Sequence, residues 1–76
     1  MKLDDAVELG KEGAWAEAQV RLTPGSRTHW FVLLRDIHSK SFILAGNDDN
    51  AISSNDVNEL ARLIRSLGLK QFTTFL

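Results

Sequence analysis

Two histidines and a carboxylate are the residues of this chain best suited to chemistry. His29 and His38 flank Asp36, and an imidazole, a carboxylate and a third convergent group would make a general-base site or a metal centre. The spacing works against convergence. In an extended segment His29 and Asp36 stand an odd number of residues apart and project from opposite faces, while His38 falls in the turn that follows. Asn47-Asp48-Asp49-Asn50 gathers oxygen donors of the kind hard cations take. The run lacks the alternating donors, mid-loop glycine and late bidentate glutamate of a calcium loop, which leaves an Asx-rich turn. Gly10-Lys11-Glu12-Gly13 lacks the spacing and the following Lys-Ser/Thr of a phosphate loop, and no strand precedes it, so it reads as the end of a helix. No activated nucleophile, metal cluster or cofactor loop completes these sets. The chain is expected to be non-enzymatic, with no cofactor and no evident small-molecule substrate.

The elements that would position any site are easier to read. Leu3, Ala6, Val7 and Leu9 recur at roughly helical spacing behind Asp4 and Asp5, which suit a first turn, and Gly10 and Gly13 mark the end of a short helix. From Trp15 the pattern turns to period two, with Ala16, Ala18, Val20 and Leu22 on one side and Glu17, Gln19 and Arg21 on the other. Ala and Glu would also allow a helix through Ala14 to Ala18, but Val20, Leu22 and Thr23 favour a strand. Thr23-Pro24-Gly25-Ser26 has the residues of a type II turn, so the flanking strands should pair antiparallel. Between His29 and Ile37 both alternating faces are apolar, Trp30/Val32/Leu34 on one and Phe31/Leu33/Ile37 on the other, as in a central strand covered on two sides. His38-Ser39-Lys40 turns the chain into a third strand, Ser41 to Ala45.

Ser53, with Asp56 three residues later, approximates a capping box, and Val57, Leu60, Ala61, Ile64 and Leu67 then keep one apolar stripe up to Gly68. The tail from Leu69 to Leu76 alternates loosely, with Phe72 and Leu76 opposing Phe75, and its threonines suit an extended strand. Such a strand either pairs within the sheet or presents an edge to another copy. The expected architecture is α+β in the order α-β-β-β-α-β: a short helix, a three-stranded antiparallel sheet, one amphipathic helix and a C-terminal strand.

With 76 residues, 43% of them hydrophobic, no repeat and no linker, the chain is one small domain near the lower limit for folding without metals or disulfides. Nine Lys+Arg against ten Asp+Glu give a net charge of -1, which lacks the strong basic excess of a non-specific nucleic-acid or membrane binder. The absence of cysteine removes disulfide and thiolate chemistry and suits a reducing cytoplasm. No apolar run has signal-peptide or membrane-spanning length, so a soluble, unexported protein is expected.

Two surfaces remain. Apolar side chains on both sides of the middle strand exceed what one amphipathic helix shelters, so a protein-interaction module is expected. It would be a homodimer or a complex with another protein, formed through Trp30, Phe31, Leu33, Phe72, Phe75 and Leu76. Alternatively, Arg21, Arg27, Arg35 and Lys40, with Trp15 and Trp30 among them, would make a basic and aromatic sheet face for nucleic acid. The order helix, three strands, helix resembles the double-stranded-RNA-binding topology, but Ser53-Ser54-Asn55-Asp56 stands where that fold carries a basic cluster. Taken whole, the chain resembles small accessory proteins of bacterial plasmids and integrative conjugative elements. The likeness rests on Met1-Lys2-Leu3-Asp4-Asp5-Ala6, His29-Trp30-Phe31-Val32-Leu33, Lys40-Ser41-Phe42-Ile43-Leu44-Ala45 and Leu67-Gly68-Leu69-Lys70. That resemblance implies a bacterial, non-enzymatic role in element maintenance and carries over no site residue.

Overall fold

The computed structural model describes residues 1–75 and has an α+β fold. Its elements are α1 (Leu3–Lys11), β1 (Trp15–Leu22), β2 (Trp30–Asp36), β3 (Ser41–Ile43), β4 (Ser53–Ser54), α2 (Val57–Ser66) and β5 (Thr73–Phe75). The sheet runs β3-β2-β1-β5, with β4 beside β2 beyond the end of β3. β1–β2, β2–β3 and β2–β4 are antiparallel, whereas β5 pairs with β1 in parallel. The sheet is therefore mixed. Because α2 carries the chain from β4 on one side to β5 on the other, the tail returns in the direction of β1, as a helical crossover requires.

The β1–β2 connection follows its turn chemistry: the Ser26 amide donates to Thr23 O at 2.9 Å and Gly25 adopts φ +80°. At the start of β1, two residues oppose one. Trp15 pairs with Asp36 and Glu17 with Arg35, so Ala16 is an extra residue in the ladder. This bulge corrects the expected alternation. It puts Trp15, not Ala16, on the same side as Ala18 and Val20, leaving Ala16 exposed.

Those inward residues meet Val32, Leu34, Leu44 and Ala6 in one core closed by Leu60, Ile64 and Leu67 of the α2 segment. Burial of each large aliphatic contributes about 1.5–3 kcal/mol. Trp15 adds a polar tie, its Nε1 donating to Ala6 O at 2.9 Å, while its ring meets Phe42 edge-on at 5.9 Å. The helices touch at their ends. Gly10, inside α1, lies so close to the Leu67 carbonyl that a Cβ there would overlap its oxygen. Both helices thus pack on one side of the sheet.

The cap of α2 differs from the expected box. Asp56 is the N-cap, accepting from the Asn58 amide at 2.9 Å, and Ser53 is drawn into β4 opposite Phe31. Ser54 Oγ accepts from the Asp56 amide and donates to Glu59 Oε2, joining strand to helix. The short Asp56 side chain reaches the free Asn58 amide directly, which releases the upstream serines to pair with β2. Gly68, at φ +87°, ends the helix as its position suggested.

Candidate functional site

The groups that looked catalytic do not converge. His29 and Asp36 are at opposite ends of β2, about 23 Å apart at the rise of an extended chain. Asp36 Oδ1 accepts from the amides of His38 and Lys40, both at 2.9 Å, and so folds the β2–β3 turn, in which Ser39 has φ +65°. His29 is exposed, its Nδ1 3.0 Å from Thr28 Oγ1.

The Asx run is a turn held by its own donors. Asp48 accepts from the backbone and side-chain amides of Asn50, both at 3.1 Å, and these bonds hold its carboxyl below the ordinary carboxylate range. Asn47 exchanges hydrogen bonds with Asp4 and ties the loop to α1. Among the described residues no three His, Cys, Asp or Glu side chains gather as a metal site. The Gly10–Gly13 segment closes α1, with Gly13 donating to Gly10 O and Ala14 to Leu9 O.

What the fold does assemble is the sheet face turned away from the helices. Strand registers place Ser41, Arg35 and Glu17 in one row, Ile43, Leu33, Gln19 and Thr73 in the next, and Ser53, Phe31, Arg21 and Phe75 in the third. Phe31 and Leu33 are half-buried, Ile43 is 49% exposed and Phe75 39%. The expectation that β2 is covered on both sides is thereby corrected: Val32 and Leu34 are sealed at 0% exposure, while their neighbours Phe31 and Leu33 face a side with no helix. An apolar depression of about 340 Å³ opens beside Phe31, bounded by Pro24, Ile43, Ala51 and Ser53.

A polar ladder runs along the same face. Arg35 pairs with Glu17 at 3.0 Å, Gln19 Nε2 donates to Glu17 at 2.8 Å, and Arg21 Nε donates to Gln19 Oε1 at 2.9 Å. The Arg21 guanidinium ends 4.2 Å from the centre of the Phe75 ring, a cation–π contact that reaches across β5. Sequence periodicity put Glu17, Gln19 and Arg21 on one side. Only the pairing of β1 with β2 and β5 supplied their partners.

The interaction residues expected from sequence divide accordingly. Phe31, Leu33 and Phe75 share the open face, whereas Trp30 and Phe72 turn to the core side and pack against it. Leu76 lies outside the described residues. Ile37, expected beside Phe31 and Leu33, lies past the end of β2; its amide donates to Ala14 O and its side chain is 63% exposed. Ile43 was missed because its three-residue strand shows too little alternation to assign a face.

The basic set does not form one surface either. Arg21 and Arg35 share the open face with Arg35 neutralised by Glu17, while Arg27 and Lys40 occupy turns at opposite ends of the sheet. Trp15 is buried at 7% exposure and Trp30 is turned inward, so neither tryptophan offers a stacking platform. The first turn of α2 carries Glu59 behind its Asp56 cap, with no basic residue.

No family model, no curated protein and no solved structure matches this chain. Among the described residues no helix is long and apolar enough to cross a membrane.

Proposed function

We propose that this protein is a small, non-enzymatic interaction module that forms a homodimer through its open sheet face. The observation that carries this is Phe31, Leu33, Ile43 and Phe75 lying together on the side opposite both helices. Phe31, Leu33 and Ile43 adjoin across β2 and β3, with Phe75 beyond Arg21, and an exposed apolar group of this kind on a small domain marks a protein contact. Its size suits a second copy. With β1 and β2 about 25 Å long, β3 and β4 together about 17 Å and β5 about 10 Å, at ~4.8 Å spacing, the projected face is roughly 350 Å², so two copies packed face to face bury on the order of 700 Å², which fits a weak, concentration-dependent dimer. A 76-residue domain is also small enough for dimerisation to add usefully to stability.

The ladder fits a covered surface. Glu17, Gln19 and Arg35 are already bonded to one another, so covering them strands few polar groups, while the Arg21 guanidinium lies in the last row of the face, beside the outermost strand, where it keeps contact with water. A cytoplasmic setting accords with the absence of cysteine, and a role in maintaining a bacterial mobile element with the layout of the chain. The nucleic-acid reading draws less support, because Arg35 is paired and Arg27 and Lys40 lie in turns at opposite ends of the sheet.

Sedimentation velocity across micromolar concentrations tests the proposal. The wild type should sediment as a concentration-dependent dimer, and Leu33→Asp should weaken association at least tenfold while keeping its circular dichroism spectrum. A wild-type monomer at every concentration would overturn it.

A further inference from the structure

The sheet has one covered edge and one open edge. On the β3 side Met1 and Lys2 run alongside: the Met1 nitrogen donates to Ile43 O at 3.2 Å, Ala45 donates to Met1 O at 2.7 Å, and Lys2 bridges Ala45 in parallel. On the other side β5 is outermost, and Thr73, Thr74 and Phe75 are all exposed. An outermost strand offers its outward backbone groups to any extended chain that can pair with them. Two-fold packing of the open faces leaves this edge free.

Beside the edge is a charged group held in place. Gln19 orients the Arg21 guanidinium from one side and the Phe75 ring supports it, so it points over β5 toward the open edge. Among the described residues no carboxylate lies within ion-pair distance of Arg21, whereas Glu17 answers Arg35. Among the described residues Arg21 is thus the one charge on the strands' open face with no opposite charge in ion-pair reach. Next to it lies a depression of about 380 Å³ lined by Arg21, Leu22, Pro24, Phe31 and Phe75, large enough for one aliphatic side chain.

The geometry points to a second binding site at this edge, for an extended peptide segment of a partner protein that carries a carboxylate flanked by apolar residues. The segment adds as a strand outside β5. A residue paired opposite Phe75 has its Cβ about 5 Å away on the same face, and a glutamate there reaches the terminal donors of Arg21. An apolar neighbour two residues along enters the depression. Charge argues for this occupant over a second copy at the same edge, since β5-to-β5 pairing would bring two Arg21 guanidinium groups within about one Debye length. The depression shares Phe31 and Phe75 with the rim of the proposed dimer face, so the titration is run at a protein concentration below that at which sedimentation shows association, where it can fail or succeed without the dimer.

The test is titration of the isotopically labelled full chain, followed by amide NMR, with two blocked hexapeptides, one alternating valine and glutamate and the other valine and lysine. The glutamate peptide should shift the Thr73–Phe75 amides saturably, with submillimolar to millimolar affinity, and the lysine peptide should bind about tenfold more weakly or not at all. Arg21→Gln should reduce glutamate-peptide affinity about tenfold, with its circular dichroism spectrum unchanged from wild type. Equal binding of the two peptides, shifts confined to other strands, or no saturable shift up to millimolar peptide would overturn the proposal.

Discussion

Replacing Gly10 with alanine sets local preference against tertiary packing, and the two predict opposite signs. Gly10 lies within α1, where alanine is favoured over glycine by about 0.5–1 kcal/mol, so helix propensity alone predicts stabilisation. The fold predicts a loss. A Cβ at Gly10 overlaps the Leu67 carbonyl oxygen and comes within 2.9 Å of the carbonyl carbon, both of them backbone atoms at the end of α2. Backbone cannot rotate aside as a flexible side chain can, so the helix ends must part by roughly an ångström, against the close packing of Leu67 and its neighbours. Overpacking of this kind costs about 1–3 kcal/mol, and after the propensity gain a net loss of about 1–2 kcal/mol remains. In a domain of this size that lowers Tm by roughly 5–15 °C. Thermal unfolding of wild type and Gly10→Ala at one matched concentration measures it, because association would otherwise shift the midpoint. A Tm for Gly10→Ala equal to or above wild type would refute the close approach of α1 to Leu67 and the shared placement of the helices built on it.

Ile64→Asp puts a carboxylate into a side-chain site that is 1% exposed and should abolish the cooperative unfolding transition; a sharp melt in that variant would contradict the α2 packing. Trp15→Phe removes the indole donor to Ala6 O, so about 1–2 kcal/mol of stability should be lost in urea denaturation, and an unchanged midpoint would show that the bulge does not hold Trp15 inward. Asp48 is held ionised by the amides of Asn50, a depressed folded-state value. Its contribution is therefore present above the ordinary carboxylate value and lost as pH falls through the lower folded one. The Asn50 amide resonance should titrate with a midpoint below 3.8, and a midpoint at or above that value would deny the hydrogen bonds.

Most of the architecture was legible because it depends on neighbours in sequence. The Pro24-Gly25 turn, the Leu60/Ile64/Leu67 stripe and the Gly68 stop all follow from backbone preference and a 3.6-residue period, which one chain segment expresses by itself. The errors fell where a distant segment intervened. Ser53 could serve a helix as a cap or a strand as a partner, and Phe31 across the ladder decided for the strand. Ala16 kept an alternating pattern that the bulge against Arg35 and Asp36 displaced by one residue.

The candidate site divides in the same way. Residue order alone determined that Phe31 and Leu33 oppose Val32 and Leu34, and that Glu17, Gln19 and Arg21 share a side, because successive side chains of any strand point to opposite faces. Tertiary structure decided which face stays open. Both helices settle on the Val32/Leu34 side, where Gly10 admits Leu67 and Ala6 receives Trp15, and no periodicity within a single segment encodes which side two separate helices choose. It also decided that β5 runs parallel to β1, for only the crossover of α2 carries Phe75 to lie beneath Arg21.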